Sequence, residues 1–282
     1  MRFLTLAEAI QQLVPDGACV ALEGFTHLIP FAAGHELIRQ KRRDLHLVRM
    51  TPDLIYDQLI GMGCARKLTF SWGGNPGVGS LHRLRDAVEK AWPQTLEIDE
   101  HSHAGMGVAY SAGASGLPFG VLRGYIGTDL PAQNERIRSV QCPYTGEKLA
   151  TVPAINPDVT ILHAQRADRK GNVAITGIVG AQREAAMAAK KLIVTVEEIV
   201  DDIPPALNGV LLPHWLISAV VHSPGGAYPS YAHGYYARDN AFYQAWDDIA
   251  RDRDRFLAWM EKHVTRTRTH REFLASLKEQ AA

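Results

Sequence analysis

The sequence predicts an α/β protein, an open sandwich with a largely parallel sheet flanked by helices. Three observations lead there: continuously apolar runs of strand length recur along the first two thirds of the chain, helical patterns separate them, and glycine-rich turns follow several of the runs. Strands buried on both faces read as unbroken apolar stretches, and parallel neighbours need a crossover, usually a helix, between them.

In chain order, MRFLTLAEAIQQLV is amphipathic and carries an acid, unlike a signal peptide. The strand candidates are CVALEGF (19–25), LHLVRM (45–50), KLTFSW (67–72), LEIDEH (96–101), VTILHAQ (159–165), LIVTVEEIV (192–200) and LISAVVHSP (216–224). Helices are expected over 35–41, 52–62, 81–92 and 181–190. Residues 134–151 are polar, contain Pro143 and Gly146, and read as a long excursion or lid. From about residue 228 the chain turns aromatic, and a charged helix follows over about 245–263. With no repeat and no low-complexity linker, one domain spanning 1–282 is expected, with that aromatic and helical segment as its C-terminal part.

Composition excludes several functions. The 282 residues carry 30 basic and 30 acidic side chains, mostly interspersed, which argues against nucleic acid as a partner. Three dispersed cysteines, Cys19, Cys64 and Cys142, form no CxxC pair, so neither a disulfide framework nor a thiolate zinc site is expected, and a reducing cytoplasm fits. No apolar run approaches bilayer-spanning length, and no membrane association is expected.

Ligands of open parallel sheets bind beyond the carboxyl ends of the strands, so the turns there are the candidate sites. GGNPGVGS (73–80) follows a strand and precedes a helix, an arrangement that gathers backbone N–H groups for an anion. It lacks the third glycine of a dinucleotide fingerprint and the Gly-Lys-Ser/Thr of a P-loop, and it also reads as a plain tight turn with Ser80 as helix N-cap. EGFTHLIP (23–30) is a second such turn, and GASGLPF (113–119) a third. EIDEHSHAGMG (97–107) crowds acids and histidines. His101 and His103 would share one strand face as metal ligands, but no partner at a recognisable spacing follows, and Ser102 lacks a GxSxG elbow. Glu100, leaving the sheet edge beside His101, is either a proton-transfer or orienting carboxylate or a salt-bridged strand end.

The order DGACVALEGFTHLIP, RMTPDLIYDQLIG, ARKLTFSWGGNPGVGSLHRLRDAVEK, LEIDEHSHA, AGASGLPF, HAQRADRKGNV, IVTVEEIVDD and PSYAHGYYARDNAFYQAWD resembles the A subunit of the family I CoA transferases over about residues 4–264. In the general family pattern the first turn reads Gly-Gly-Phe with a further glycine before the proline. Here it reads Glu23-Gly24-Phe25, with Leu28-Ile29 before Pro30.

The resemblance implies a sandwich fold that pairs with a CoA-transferase B subunit of similar core, in an A2B2 or similar hetero-oligomer. It implies ping-pong transfer of CoA from succinyl-CoA to a dicarboxylic 3-oxo acid of aromatic compound degradation. A glutamate of the B subunit, in a Ser-Glu-Asn-Gly-type motif, is the implied nucleophile. This chain has no such motif; Val196-Glu197-Glu198-Ile199 and Glu147-Lys148 come nearest, so the chain is expected to be inactive alone. No cofactor and no metal are expected, because the CoA thioester is itself substrate.

The free carboxylates of such acyl groups need cationic or backbone N–H partners. Phe25, His27, Gly73, Gly74, Asn75, Ser80, His101 and His103 are the candidate substrate wall, and Glu100 the candidate supporting or basic residue. Two other classes stay open: a glutaconate-type transferase or a ring-opening acyl-CoA hydrolase using Glu100 as base, and a non-catalytic acyl- or carboxylate-binding protein. Tyr231, Tyr235, Tyr236, Phe242, Tyr243 and Trp246 are read as packing against the core or an interface rather than as a ligand cage. His233 and Arg238 within that segment stand outside the candidate site. Arg169 and Lys170 are weighed for CoA phosphates, and the cysteines are read as inert.

Overall fold

In the computed structural model, which describes residues 2–76, 79–204 and 208–281, the strands are β1 (Arg2–Phe3), β2 (Cys19–Glu23), β3 (Leu45–Val48), β4 (Ala65–Phe70), β5 (Glu97–Glu100), β6 (Phe119–Leu122), β7 (Arg138–Gln141), β8 (Lys148–Pro153), β9 (Val159–Asp168), β10 (Val173–Thr176), β11 (Lys191–Val200), β12 (Gly209–Leu212) and β13 (Ala219–His222). The helices are α1 (Leu6–Leu13), α2 (Phe31–Arg39), α3 (Leu54–Gly61), α4 (His82–Lys90), α5 (His103–Ala114), α6 (Leu130–Gln133), α7 (Gln182–Ala188), α8 (Asn240–Arg251), α9 (Arg253–Met260) and α10 (His270–Ala281).

The main sheet runs β1-β13-β11-β9-β2-β3-β4-β5, with every neighbouring pair parallel. β10 pairs antiparallel with β9, and β12 with β10. From β2 the chain winds outward through β3, β4 and β5, whereas β9, β11 and β13 lie on the other side. The direction of winding therefore changes between β2 and β9, and a crevice forms at such a switch point.

Successive strand residues face opposite layers. Val20, Leu22 and Ile193 join one core with residues of α1–α4 and α8–α10, including Phe31, Trp246, Phe256 and Phe273. Ala21 and Val48 face the other layer, with Met106 and Tyr110 of α5 and Ala185 of α7. The C-terminal aromatic segment thus packs as read: Tyr243 and Trp246 are buried in the first core.

All seven expected strands form, β4 two residues earlier and β13 shorter than read, and the four expected helices lie within two to four residues of their predicted bounds. The expected helix over 245–263 is divided into α8, α9 and a π-helical turn at Glu261–Thr265. The excursion is larger than 134–151: β6, β8 and β7 form a separate antiparallel sheet, which packs on α5 through Ala109, Tyr125, Ile137 and Val152. The helix α5 and the strands β10 and β12 are elements the sequence reading did not place.

One expected cap is replaced. Leu81, not Ser80, occupies the N-cap of α4 and makes no side-chain cap. The buried Asp57 of α3 does that work instead, its Oδ1 accepting from the backbone N–H of Arg83 (2.8 Å) and Leu84 (3.0 Å) and its Oδ2 from Trp246 Nε1 (3.2 Å). Burial raises the Asp57 carboxyl to a pKa of about 6.

Candidate active site

One strand further along the sheet from the switch point, β2 and β3 stop pairing after Ala21 and Val48, and a crevice opens beyond them. Beyond them the Tyr56 hydroxyl is inserted between the strands, accepting from Leu22 N–H (3.1 Å) and donating to Val48 carbonyl (2.7 Å). The next residue of β2 is Glu23, fully enclosed. Its Oε1 accepts from Met50 N–H (3.0 Å) and from the Tyr110 hydroxyl (2.9 Å), so one carboxylate fastens β2, β3 and α5. Burial pushes its pKa up, while the Arg49 charge and the hydrogen bonds pull it back.

Residues 23–30 then curl tightly, with Thr26 at φ 64° and Leu28 at φ 53°, in the left-handed region that non-glycine residues avoid. A Cβ on Gly24 would lie 2.7 Å from the Leu28 carbonyl oxygen, so the turn requires glycine there. The curl sends two side chains in different directions. Phe25 is half-buried at the crevice, edge-on to His103 with ring centroids 6.5 Å apart. His27 is buried, stacked on Tyr231, and donates from Nε2 to the Ile178 carbonyl (2.7 Å); burial lowers its pKa.

The remaining expected site residues divide in the same way. Ser71, just past β4, donates to the Met50 carbonyl (2.6 Å) and contacts His103 Nδ1 (3.2 Å), so β3, β4 and the exposed first residue of α5 converge beside Phe25. The N–H of Gly74 is taken by Pro52 carbonyl (3.2 Å) and that of Asn75 by Gly79 carbonyl (3.0 Å). The Asn75 amide donates to Tyr243 carbonyl (2.8 Å). Of the backbone N–H groups at 73–75 two are therefore committed, while that of Gly73 forms no hydrogen bond with the described residues. Asn75 anchors the turn to α8, and Gly77 and Val78 lie outside the described residues. Ser80 is half-buried and forms no hydrogen bond among the described residues.

At β5 the strand ends at Glu100, and Ser102 is the N-cap of α5, accepting from Gly105 N–H at 3.0 Å. His101 and His103 consequently do not share a strand face. Among the described residues, no group of three or more metal-ligating side chains is placed to hold an ion. Asp99 points inward: it accepts from Thr69 Oγ1 and Asn134 (both 3.0 Å) and pairs with His101 Nε2 (3.0 Å) and Arg136 (3.2 Å). Burial raises its carboxyl, but the bond from His101 and the other partners outweigh that and hold it well below the usual range. Asp99 and buried His101 thus dock the small sheet, whereas Glu100 leaves its carboxylate exposed at the edge.

On the other side of the switch point, sequence reading missed a second knot. Glu197 of β11 is buried, its Oε1 accepting from His163 Nε2 (2.6 Å) and Tyr236 (2.7 Å) and its Oε2 from Gly225 N–H (2.7 Å). Burial raises its pKa, yet these donors outweigh it and the net shift is downward. Glu197 is a locked carboxylate, and Glu147 is paired with Arg123 on the surface (2.7 Å). Arg169 pairs with Asp201 at the surface (2.5 Å). Burial raises the Cys64 thiol to about 12 and that of Cys19 to about 11, leaving neither as a nucleophile.

Beyond the ends of β2, β3 and β4 lies a cleft of about 210 Å³, with Phe25, Ile29, Arg49, Trp72, Arg238 and Tyr243 among its walls. A larger apolar groove, about 580 Å³, lies away from the strand ends between α8 and α10, with Tyr228, Phe242 and Leu274 in its walls.

A doubly wound, largely parallel sheet with a small cleft beyond the ends of β2, β3 and β4 defines an open α/β protein. The chain belongs to the coenzyme A transferase family, whose description matches residues 3–223. It is 67% identical over 276 residues to the A subunit of 3-oxoadipate CoA-transferase from Pseudomonas knackmussii, covering 98% of each chain. It is 31% identical to the A subunit of glutaconate CoA-transferase from Acidaminococcus fermentans over 98% of this chain and 92% of that one. The crystal structure of glutaconate coenzyme A-transferase from that organism superposes with a TM-score of 0.91 over 98% of this chain and 93% of its own, at 30% identity. The cholesterol ring-cleaving hydrolase IpdA subunit of Rhodococcus jostii is 26% identical over 88% of this chain and 86% of its own. Fold class and family therefore agree with the reading of the sequence.

Proposed function

We propose that this chain is the A subunit of a heteromeric transferase that moves CoA from succinyl-CoA to 3-oxoadipate in aromatic degradation, with the nucleophilic glutamate supplied by a B subunit. The observation that carries the reading is the near-complete match to the A subunit of 3-oxoadipate CoA-transferase. The site chemistry supports the borrowed nucleophile: Glu23, Asp53, Asp99 and Glu197 are each tied into buried hydrogen bonds or ion pairs at the strand ends.

In the proposed cycle the B subunit's glutamate attacks the succinyl-CoA thioester, giving an acyl anhydride and CoA thiolate. The thiolate returns to the glutamyl carbonyl, releasing succinate and leaving a glutamyl-CoA thioester. The 3-oxoadipate carboxylate attacks that thioester, expelling CoA thiolate and forming a second anhydride, and the thiolate then attacks its 3-oxoadipyl carbonyl, freeing the glutamate. This chain lines the acyl pocket with Phe25, Trp72 and His103 and offers the Gly73 N–H to developing oxyanion charge. CoA enters as substrate and no further cofactor is invoked. A cytoplasmic A2B2 assembly is part of the proposal; among the described residues no helix is long and apolar enough to cross a membrane.

The test is CoA transfer from succinyl-CoA to 3-oxoadipate by this chain alone and co-purified with its partner. Transfer by the pair only is expected; transfer by the single chain, or none by the pair, contradicts the proposal. A second reading, acyl-CoA hydrolysis with Glu100 as base, is favoured by the exposed carboxylate at the end of β5 and the likeness to the ring-cleaving hydrolase subunit. It requires release of free CoA without an acceptor.

A further inference from the structure

The cleft beyond β2, β3 and β4 holds a guanidinium group that the reaction as described leaves unused. Arg238 lies in the loop before α8, stacked over Tyr243 with its Cζ 4.1 Å from the ring centroid, and its Nη2 donates to Pro76 carbonyl (2.7 Å). Its plane is fixed by the ring and one corner by the carbonyl, while its Nε has no hydrogen-bond partner among the described residues. Arg49, also in the wall, is fully buried and spends its Nη groups on Asp53 Oδ1 (2.9 Å) and Gly24 carbonyl (2.8 Å), leaving its Nε likewise unpartnered among the described residues. Among the described residues Asp53 is the one acid in the cleft wall, and Arg49 neutralises it. Glu23 lies behind Gly24, held by Met50 and Tyr110, and takes no part in the wall. The lining thus carries a surplus positive charge beside Phe25, Ile29, Trp72 and Tyr243, which suit a short methylene chain.

We propose that this cleft is the subsite for the distal carboxylate of the acyl group, and that Arg238 is the residue that makes the enzyme prefer dicarboxylic substrates. The proposal rests on the transferase reading above. A planar guanidinium held in place by one carbonyl, with no carboxylate partner among the described residues, is suited to capture of a carboxylate. The fully buried Arg49 balances Asp53 and ties down the Gly24 carbonyl beside Phe25, which leaves Arg238 as the charge offered to a ligand. The 210 Å³ volume admits a short acyl chain and excludes the nucleotide of CoA, which must lie outside.

The test uses the co-purified pair with 3-oxoadipate and with 3-oxohexanoate, which has a methyl group where the distal carboxylate would be. The ratio of kcat/KM for the dicarboxylate over the monocarboxylate should fall by about a hundredfold in Arg238→Gln and by about tenfold or less in Arg238→Lys, which keeps the charge. An unchanged ratio, including an equal loss on both substrates, overturns the proposal. A second readout does not depend on turnover: adipate should raise the melting temperature of the wild-type pair, hexanoate should not, and Arg238→Gln should abolish the adipate shift. An adipate shift that survives in Arg238→Gln overturns the subsite even if the pair transfers nothing, whereas failure of the transferase reading appears as an inactive wild-type pair.

Discussion

Replacing Glu197 by alanine removes the acceptor that joins β9, β11 and the loop over 225–236. Three donors then lose their partner: His163 Nε2, the Tyr236 hydroxyl and the Gly225 N–H, at 2.6, 2.7 and 2.7 Å. Each buried donor left unmade costs about 1–3 kcal/mol, and the loop can relax toward water, so the low end applies and the sum is about 3 kcal/mol. At about 2 cal/mol/K per residue the unfolding entropy of this chain is roughly 0.6 kcal/mol/K, so the melting temperature should fall by about 5 °C. Glu197→Gln keeps one acceptor oxygen and loses the charge, which predicts a drop of about 2 °C. The sign of the pH dependence follows from the lowered carboxyl: the wild-type advantage over Glu197→Gln is fully present above the ordinary value near 4.5 and disappears as pH falls through the lower folded-state value. Calorimetry on the purified chain at pH 7 and toward pH 4 reads both effects. An alanine variant melting within about 1 °C of wild type would refute the reasoning, because Glu197 would then be solvated rather than locked.

Three further outcomes follow from the same geometry. Asp57 has a raised carboxyl, so its contribution is present below 3.8 and is lost as pH rises through about 6; the melting temperature of wild type minus that of Asp57→Asn should therefore decrease between pH 4 and 7, and a constant difference contradicts it. Glu100→Gln separates the two functional readings: transfer by the pair should fall by less than about tenfold, whereas a hydrolytic base would cost a hundredfold or more. Gly180 sits at φ 55°, and a Cβ there would lie 2.5 Å from Phe25 Cβ; Gly180→Ala should destabilise the chain by about 1–2 kcal/mol and raise KM by displacing Phe25, and an unchanged KM would show that Phe25 does not touch substrate.

The sheet was legible in the sequence because parallel strands bury both faces, and LHLV or VTIL must then be apolar without alternation. The helix α5 was not, since HAGMGVAYSAGA carries three glycines and reads as turn. Two of them are there for close approach: a Cβ on Gly105 would lie 1.8 Å from the Tyr125 hydroxyl oxygen, and one on Gly113 would lie 2.2 Å from the Ile155 carbonyl oxygen. The site was half legible. Phe25, Gly73 and His103 stand at strand ends, where local position predicts exposure to the crevice. His27 and His101 have the same local context but are turned inward by the left-handed kinks of the 23–30 curl and by Asp99. Glu197 and Asp57 gather partners from 163, 225 and 236 and from 83, 84 and 246, separations at which no motif announces itself. Ser80 failed as a cap for the same reason, since a carboxylate from the neighbouring helix had already taken the free N–H groups. Arg238 was left outside the candidate site because it stands in an aromatic stretch of which Tyr243 and Trp246 pack the core.

The central claim is that this chain shapes the acyl pocket while another chain carries the covalent intermediate. The most direct measurement is intact-mass analysis of each chain after the co-purified pair is incubated with succinyl-CoA and no acceptor, then quenched in acid. The account predicts a CoA-sized mass increase on the partner and an unmodified mass for this chain. A CoA adduct on this chain, at Glu197, Glu100 or any other acid, would contradict it.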